Sequence, residues 1–183
     1  MQGVTTIETQ RATSPLRTLH LVRFGFAITW AALLFVSSTA TLSPLTAVLL
    51  VAYPLFDLAA AVVDRRSSHP ATTPSTLLVV NMVLSLLAAV GLLLAVGTGT
   101  SSVLVVWGLW AITAGAVQLA VGLRRRALGG QWAMIAAGGI SLLAGASFLA
   151  QSRGAGSVTS LAGYAVLGGI FFLVSALRLR RAV

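Results

Sequence analysis

The chain has 183 residues, of which 57% are hydrophobic and only 8% are Asp, Glu, Lys or Arg. A soluble domain carries about 25% charged residues, so this chain cannot clothe a water-facing surface, and a soluble enzyme, a disordered tail and a nucleic-acid module are excluded. The formal net charge of +9 is that of 12 arginines against three acidic residues, and the arginines sit at the ends of apolar runs instead of on one exposed face. What remains is an integral membrane protein.

Taken in chain order, the first element is a stretch with many Thr and few large apolar side chains, Met1–Thr18. It reads as a disordered, mobile tail. A helix crossing the hydrocarbon core needs about 20 mainly apolar residues. Six runs meet that requirement: Leu19–Ser37, Leu45–Val63, Leu77–Val96, Val103–Leu123, Trp132–Ala150 and Val158–Leu177. They are continuous, whereas barrel strands are half as long and alternate polar with apolar. The fold class is therefore an all-α membrane domain over 19–181, with six transmembrane helices. A cleavable leader is the competing reading of Phe24–Val36 followed by Ser38-Thr39-Ala40, but it would remove the first of these helices.

Arginine position sets the orientation. Arg11, Arg17 and Arg23 precede or open the first span, and Arg65 and Arg66 follow the second. Arg124, Arg125 and Arg126 follow the fourth, Arg178, Arg180 and Arg181 follow the sixth, and only Arg153 lies on the other side. Cytoplasmic loops carry the excess of basic residues, so both termini are expected in the cytoplasm and the protein in the plasma membrane.

The spans pair into three hairpins, at about 19–66, 77–126 and 132–181. Their even-numbered helices align on an aromatic residue, Tyr53, Trp110 and Tyr164, at offsets of 57 and 54 residues. Each unit contains two crossings, so the three point the same way, as parallel and not inverted repeats.

Those repeated segments resemble the HdeD-like acid-resistance membrane protein family. The corresponding residues are Arg23-Phe24-Gly25-Phe26-Ala27, Ala52-Tyr53-Pro54-Leu55-Phe56-Asp57, Gly108-Leu109-Trp110-Ala111 with Gly115, and Gly163-Tyr164-Ala165-Val166-Leu167-Gly168-Gly169. The pattern departs where Leu58 stands for a glycine after Asp57 and where Phe24 separates Arg23 from Gly25. The resemblance implies six helices built from repeated hairpins and a cell-envelope setting linked with acid stress.

Small residues recur at helical spacing. Ala133, Ala137, Ser141 and Gly145 follow every four residues in the fifth span, and Gly108, Gly115 and Gly122 every seven in the fourth. Such ridges let helix backbones approach closely in lipid, so Gly108, Gly115, Gly122, Ala137, Ser141 and Gly145 are expected at helix contacts. Asp57 is the only carboxylate inside these spans, and a charge at that depth faces the bundle interior and finds a partner. Asn81, Gln118 and Arg23 lie at comparable depth and form the candidate intramembrane cluster with it; Thr29 and Ser85 extend the set. Such a carboxylate serves either to fix helix register or to respond to protons, and Asp57→Asn is expected to preserve folding in both cases.

Asp64 is read as an interfacial ion pair with its neighbour Arg65, and His20 and His69 as interfacial or solvated. Trp107 and Trp110 are expected inside the bundle and Trp132 at the interface. With no cysteine and no metal-ligand spacing, phosphate loop or triad, the chain is expected to be non-enzymatic, with no metal and no cofactor. The function expected is a structural, envelope-protective or partner-binding one. The alternative is a small transporter or channel-like subunit with a proton-responsive site around Asp57. Lipid is the expected partner, a second copy or another membrane protein remains open, and nucleic acid is not expected.

Overall fold

The computed structural model describes residues 2–38, 42–67, 75–128, 131–154 and 156–179. They form six α-helices, α1 (Gln2–Ser37), α2 (Pro44–Ser67), α3 (Ser75–Ala95), α4 (Thr100–Arg124), α5 (Trp132–Gln151) and α6 (Thr159–Leu179), with a short 3-10 turn at Arg126–Leu128. Six segments are long and apolar enough to cross a membrane, and the described residues contain no strand. The chain is therefore a multi-pass α-helical membrane protein in composition and build. Helix α1 starts at Gln2, so the stretch expected as a disordered tail is helical, and Leu16 on its last turn is buried.

Local chemistry sets the helix ends. Ser43 and Pro44 open α2 as an N-cap and first-turn pair, the Ser43 hydroxyl accepting from the Thr46 N–H at 3.1 Å, as a capping side chain and a pre-set proline φ require. Ser157 does the same for α6, accepting from Thr159 N–H at 3.2 Å. Between α3 and α4 the backbone turns through Gly99 at φ 107°, a conformation that Cβ-bearing residues avoid. Within α2, Pro54 has no N–H to offer the Leu50 carbonyl. One residue earlier, the Leu49 carbonyl accepts from Trp30 Nε1 at 2.6 Å, so a neighbouring helix supplies a donor beside the break.

Each helix packs on its chain neighbours, and α6 closes the circuit onto α1; the broadest contacts are α4 with α5, α1 with α6 and α2 with α3. The α4–α5 contact is made by the small-residue ridges. A Cβ built on Gly108 would lie 2.8 Å from the Gly145 carbonyl, and one on Gly115 2.6 Å from Ser141 Cβ. Gly122 meets Ile135, and Ala137 is buried beside these contacts.

The interior has two storeys. One holds the apolar core, where Trp30, Leu34, Leu50, Leu92, Leu104 and Leu161 are essentially inaccessible. These come from the C-terminal halves of α1 and α3 and the N-terminal halves of α2, α4 and α6, so successive helices run in opposite directions. The other storey, at the arginine-bearing helix ends, is polar. Between them lies an aromatic layer: Trp30 stacks on Trp107 with centroids 5.4 Å apart, Tyr53 meets the edge of Trp30 at 4.6 Å, and Trp110 meets Trp107 at 5.4 Å. Trp107 and Trp110 are thus interior, while Trp132 is exposed with the Arg178 guanidinium 4.8 Å from its ring centroid.

Candidate functional site

All six helices contribute to one cavity in the polar storey, offering about 100 Å³ to the centres of water-sized molecules. One water needs roughly 10–15 Å³ in that measure, so the space holds several waters or one small solute. Its lining comes from the middle of α1, the N-terminal halves of α3 and α5 and the middle or later turns of α2, α4 and α6, with Tyr164 nearer the start of α6. Helix α2 supplies both carboxylates. Asp57 and Asp64 are seven residues apart, two helical turns, and therefore share the face turned to the cavity.

Asp57 sits at the centre of a set of donors. Arg23 Nη2 pairs with its Oδ1. Asn81 Nδ2 donates to Oδ2 at 2.7 Å and Ser85 Oγ donates to the same oxygen at 2.8 Å. Ser85 is completely buried and accepts from Trp110 Nε1 at 3.2 Å, which commits its own proton to Asp57. Three donors on two oxygens suit an acceptor-only carboxylate. The set joins α1, α2, α3 and α4. Arg23 also lies over the Phe172 ring of α6, 4.7 Å from its centroid.

Of the candidate residues, Arg23, Asn81 and Ser85 thus meet at Asp57. Gln118 does not join them: it lines the same cavity, but its Nε2 reaches the Met134 carbonyl at 3.5 Å. Thr29 is exposed on the outer face of α1. His69, Arg180 and Arg181 lie outside the described residues.

Three sequence expectations are corrected. Asp64 is not paired with Arg65. Arg125 turns inward and grips it with both arms, Nη1 to Oδ2 at 3.0 Å and Nη2 to Oδ1 at 2.7 Å. Helix α2 continues to Ser67, so Asp64 becomes a second buried intrahelical carboxylate. Arg125 itself is 4% exposed, whereas Arg124 and Arg126 on either side are exposed. It follows the last residue of α4, where the chain leaves the helix, and its guanidinium folds back toward the cavity. His20 is 3% exposed and lines the cavity, its ring 5.8 Å from Phe172, and its Nδ1 has no hydrogen-bond partner among the described residues. It lies one turn before Arg23 on the inner face of α1, and only the face, not the position near the span's end, could have disclosed its burial.

A bidentate buried pair is costly to break because the surviving charge stays desolvated. Arg125→Gln is expected to lower the melting temperature in detergent by roughly 6 °C or more. Arg65→Gln and Arg66→Gln, which change exposed side chains, are expected to leave it within about 2 °C. Thermal unfolding of the three variants in one detergent checks the contrast.

The comparisons leave the site to be read on its own geometry. No family model, no curated protein and no solved structure matches the chain. Among the described residues no group of three or more His, Cys, Asp or Glu side chains could hold a metal ion. What the arrangement offers is non-covalent. It has a polar pocket inside an apolar bundle, two charge pairs of zero sum, hydroxyls on Tyr53, Tyr164 and Ser141, and amides on Asn81, Gln118 and Gln131. Ser141 gives its proton to the Ala137 carbonyl at 2.9 Å, so at the 2.9 Å Ser141–Tyr164 contact the tyrosine donates.

Proposed function

We propose that this chain is a non-enzymatic, HdeD-like protein of the plasma membrane that takes a small solute from the cytoplasmic side into its central cavity. Its six helices are three parallel hairpins around that cavity, with both termini cytoplasmic. One observation carries the reading. The aligned aromatics Tyr53, Trp110 and Tyr164 all line the cavity, and so do the residues four further on, Asp57, Ala114 and Gly168, and eight further on, Ala61, Gln118 and Phe172. Unrelated helices have no reason to present the same three turns to one space. The broad packing of each even helix on the next odd one, with α6 returning to α1, supports the same three-fold plan.

A purely structural role is less well served by this architecture. Packing alone is satisfied by an apolar or fully paired interior, whereas a concave space between the helices of a bundle with apolar walls and a few convergent polar groups is the usual form of a small-molecule site. The envelope and acid-stress setting follows from the family resemblance, and the arginine distribution supports cytoplasmic ends.

The apolar storey separates this reading from an open channel, because residues such as Leu34, Leu50, Leu92 and Leu104 leave no polar path beyond the aromatic layer. Liposomes containing the purified protein are therefore expected to hold an imposed proton gradient as long as protein-free liposomes do. A sustained leak that scales with protein content would replace this reading with a proton channel.

A further inference from the structure

We infer that the cavity is a site for a small monocarboxylate, its oxygens on the Arg23 guanidinium and the Tyr53 hydroxyl and its short apolar part against the apolar lining. This deepens the solute-binding reading above and rests on it.

The charged hydrogen-bonding capacity left over around the cavity is on the donor side, whereas the amide oxygens of Asn81 and Gln118 and the imidazole of His20 are neutral. The four carboxylate oxygens of Asp57 and Asp64 all accept already: Asp57 from Arg23, Asn81 and Ser85, and Asp64 from both arms of Arg125. A cation entering the cavity would find both negative groups engaged. Arg23 is different. A guanidinium carries five N–H donors, and among the described residues Arg23 gives one to Asp57 and lays its plane over Phe172. Its side chain keeps 15% exposure, and it lines the open space. Tyr53 lines the same space, and its hydroxyl has no hydrogen-bond partner among the described residues. A planar fork with unspent donors matches a carboxylate better than it matches an alcohol or an amine.

The rest of the lining limits the tail. Leu78, Val121, Met134 and Phe172 form apolar wall, which favours a short alkyl or similar group. The space, about 100 Å³ for water centres, corresponds to at most roughly seven to ten water-sized groups, the size of a small solute. An anionic lipid is too large, and a multiply charged anion would have only Arg23 to answer its charge. A monocarboxylate with a short apolar tail satisfies the donors, the wall and the volume together.

The test uses the full chain, which has no native cysteine. The single-cysteine variant Ala114→Cys puts a thiol on the cavity wall, and its reaction with methyl methanethiosulfonate is followed in detergent. Sodium butyrate is expected to slow labelling by about tenfold at saturation, whereas glycerol and methylammonium chloride at equal concentration leave the rate unchanged. Adding Arg23→Lys, which keeps the positive charge but removes the fork, is expected to raise the butyrate concentration for half-protection by about tenfold. Should that variant fail to fold, Tyr53→Phe removes a single hydroxyl and is expected to raise it about fivefold. Labelling that none of the three solutes slows, or that glycerol or methylammonium slows as well as butyrate, overturns the carboxylate assignment while leaving an enterable cavity. A thiol that does not react at all overturns both.

Discussion

Asp57→Asn is expected to destabilise the protein by about 3 kcal/mol, a fall of roughly 6–12 °C in melting temperature in detergent. The substitution is nearly isosteric, so the effect is one of charge and hydrogen-bond polarity. Every neighbour of Asp57 donates: Arg23 to one oxygen, Asn81 and Ser85 to the other. An asparagine carries one oxygen and one NH2 group, and in either orientation the NH2 faces a donor. The larger loss is electrostatic. Arg23 cannot shed its charge, and without Asp57 it lies in a membrane helix with no counter-charge paired to it among the described residues. The expectation that this exchange would preserve folding held only while the partners of Asp57 were unknown. The double variant Arg23→Gln with Asp57→Asn removes the stranded charge and is expected to recover at least about 1 kcal/mol relative to the sum of the single variants. Thermal unfolding of the four proteins in one detergent measures both quantities, and an Asp57→Asn protein as stable as the native one would refute the pairing.

Gly145→Ala is expected to be, with Gly138→Ala, one of the two costliest alanine substitutions on α5. A Cβ there would stand 2.6 Å from the Gly108 carbonyl, 2.6 Å from Ile112 Cγ1 and 2.9 Å from the Ile112 backbone nitrogen. Two of these three atoms are backbone, so relief requires that α4 and α5 move apart along their whole small-residue contact. Lipid gives no hydrophobic drive to hold the helices together once close packing is lost. Overpacking of this kind costs about 1–3 kcal/mol and occasionally more, and Gly145→Leu or Gly115→Leu exceeds that range. The internal control is Gly139→Ala, six residues earlier on the same helix, where a new Cβ meets nothing within 4 Å. Alanine there is expected to be neutral or stabilising by about 0.5–1 kcal/mol through its higher helix propensity. The monodisperse fraction after detergent extraction reports the contrast; equal yields for the two variants would mean that the α4–α5 contact is not as close as described.

Much of this was legible in the chain. Apolar run length marks the six helices, because the hydrocarbon core demands that length. Four-residue spacing puts Ala137, Ser141 and Gly145 on the face that meets α4, and depth alone brings Asp57, Arg23 and Asn81 together. Ser85 follows from its one-turn distance to Asn81. The Asp64–Arg125 pair was not legible. Three consecutive arginines are equivalent in sequence, and which of them turns inward depends on where α4 ends and on the helix direction at that point. Gln118 was misjudged for a related reason: equal depth does not mean equal azimuth, and its side chain is turned toward α5. For His20, position near the end of a span points to exposure, while the inward face of α1 keeps it buried against Phe172.

The most direct test of the two-storey interior is side-specific thiol labelling. Gly168→Cys places a thiol on the cavity wall at a site where a Cβ meets no other atom within 4 Å, and Ala88→Cys places one in the apolar storey. With a membrane-impermeant charged methanethiosulfonate, Gly168→Cys is expected to react in inside-out vesicles and not in right-side-out vesicles, and Ala88→Cys in neither. Reaction of Gly168→Cys from the outer face, or equal reaction of both thiols, would contradict the proposal of a polar cavity that opens to the cytoplasm and is sealed beyond its aromatic layer.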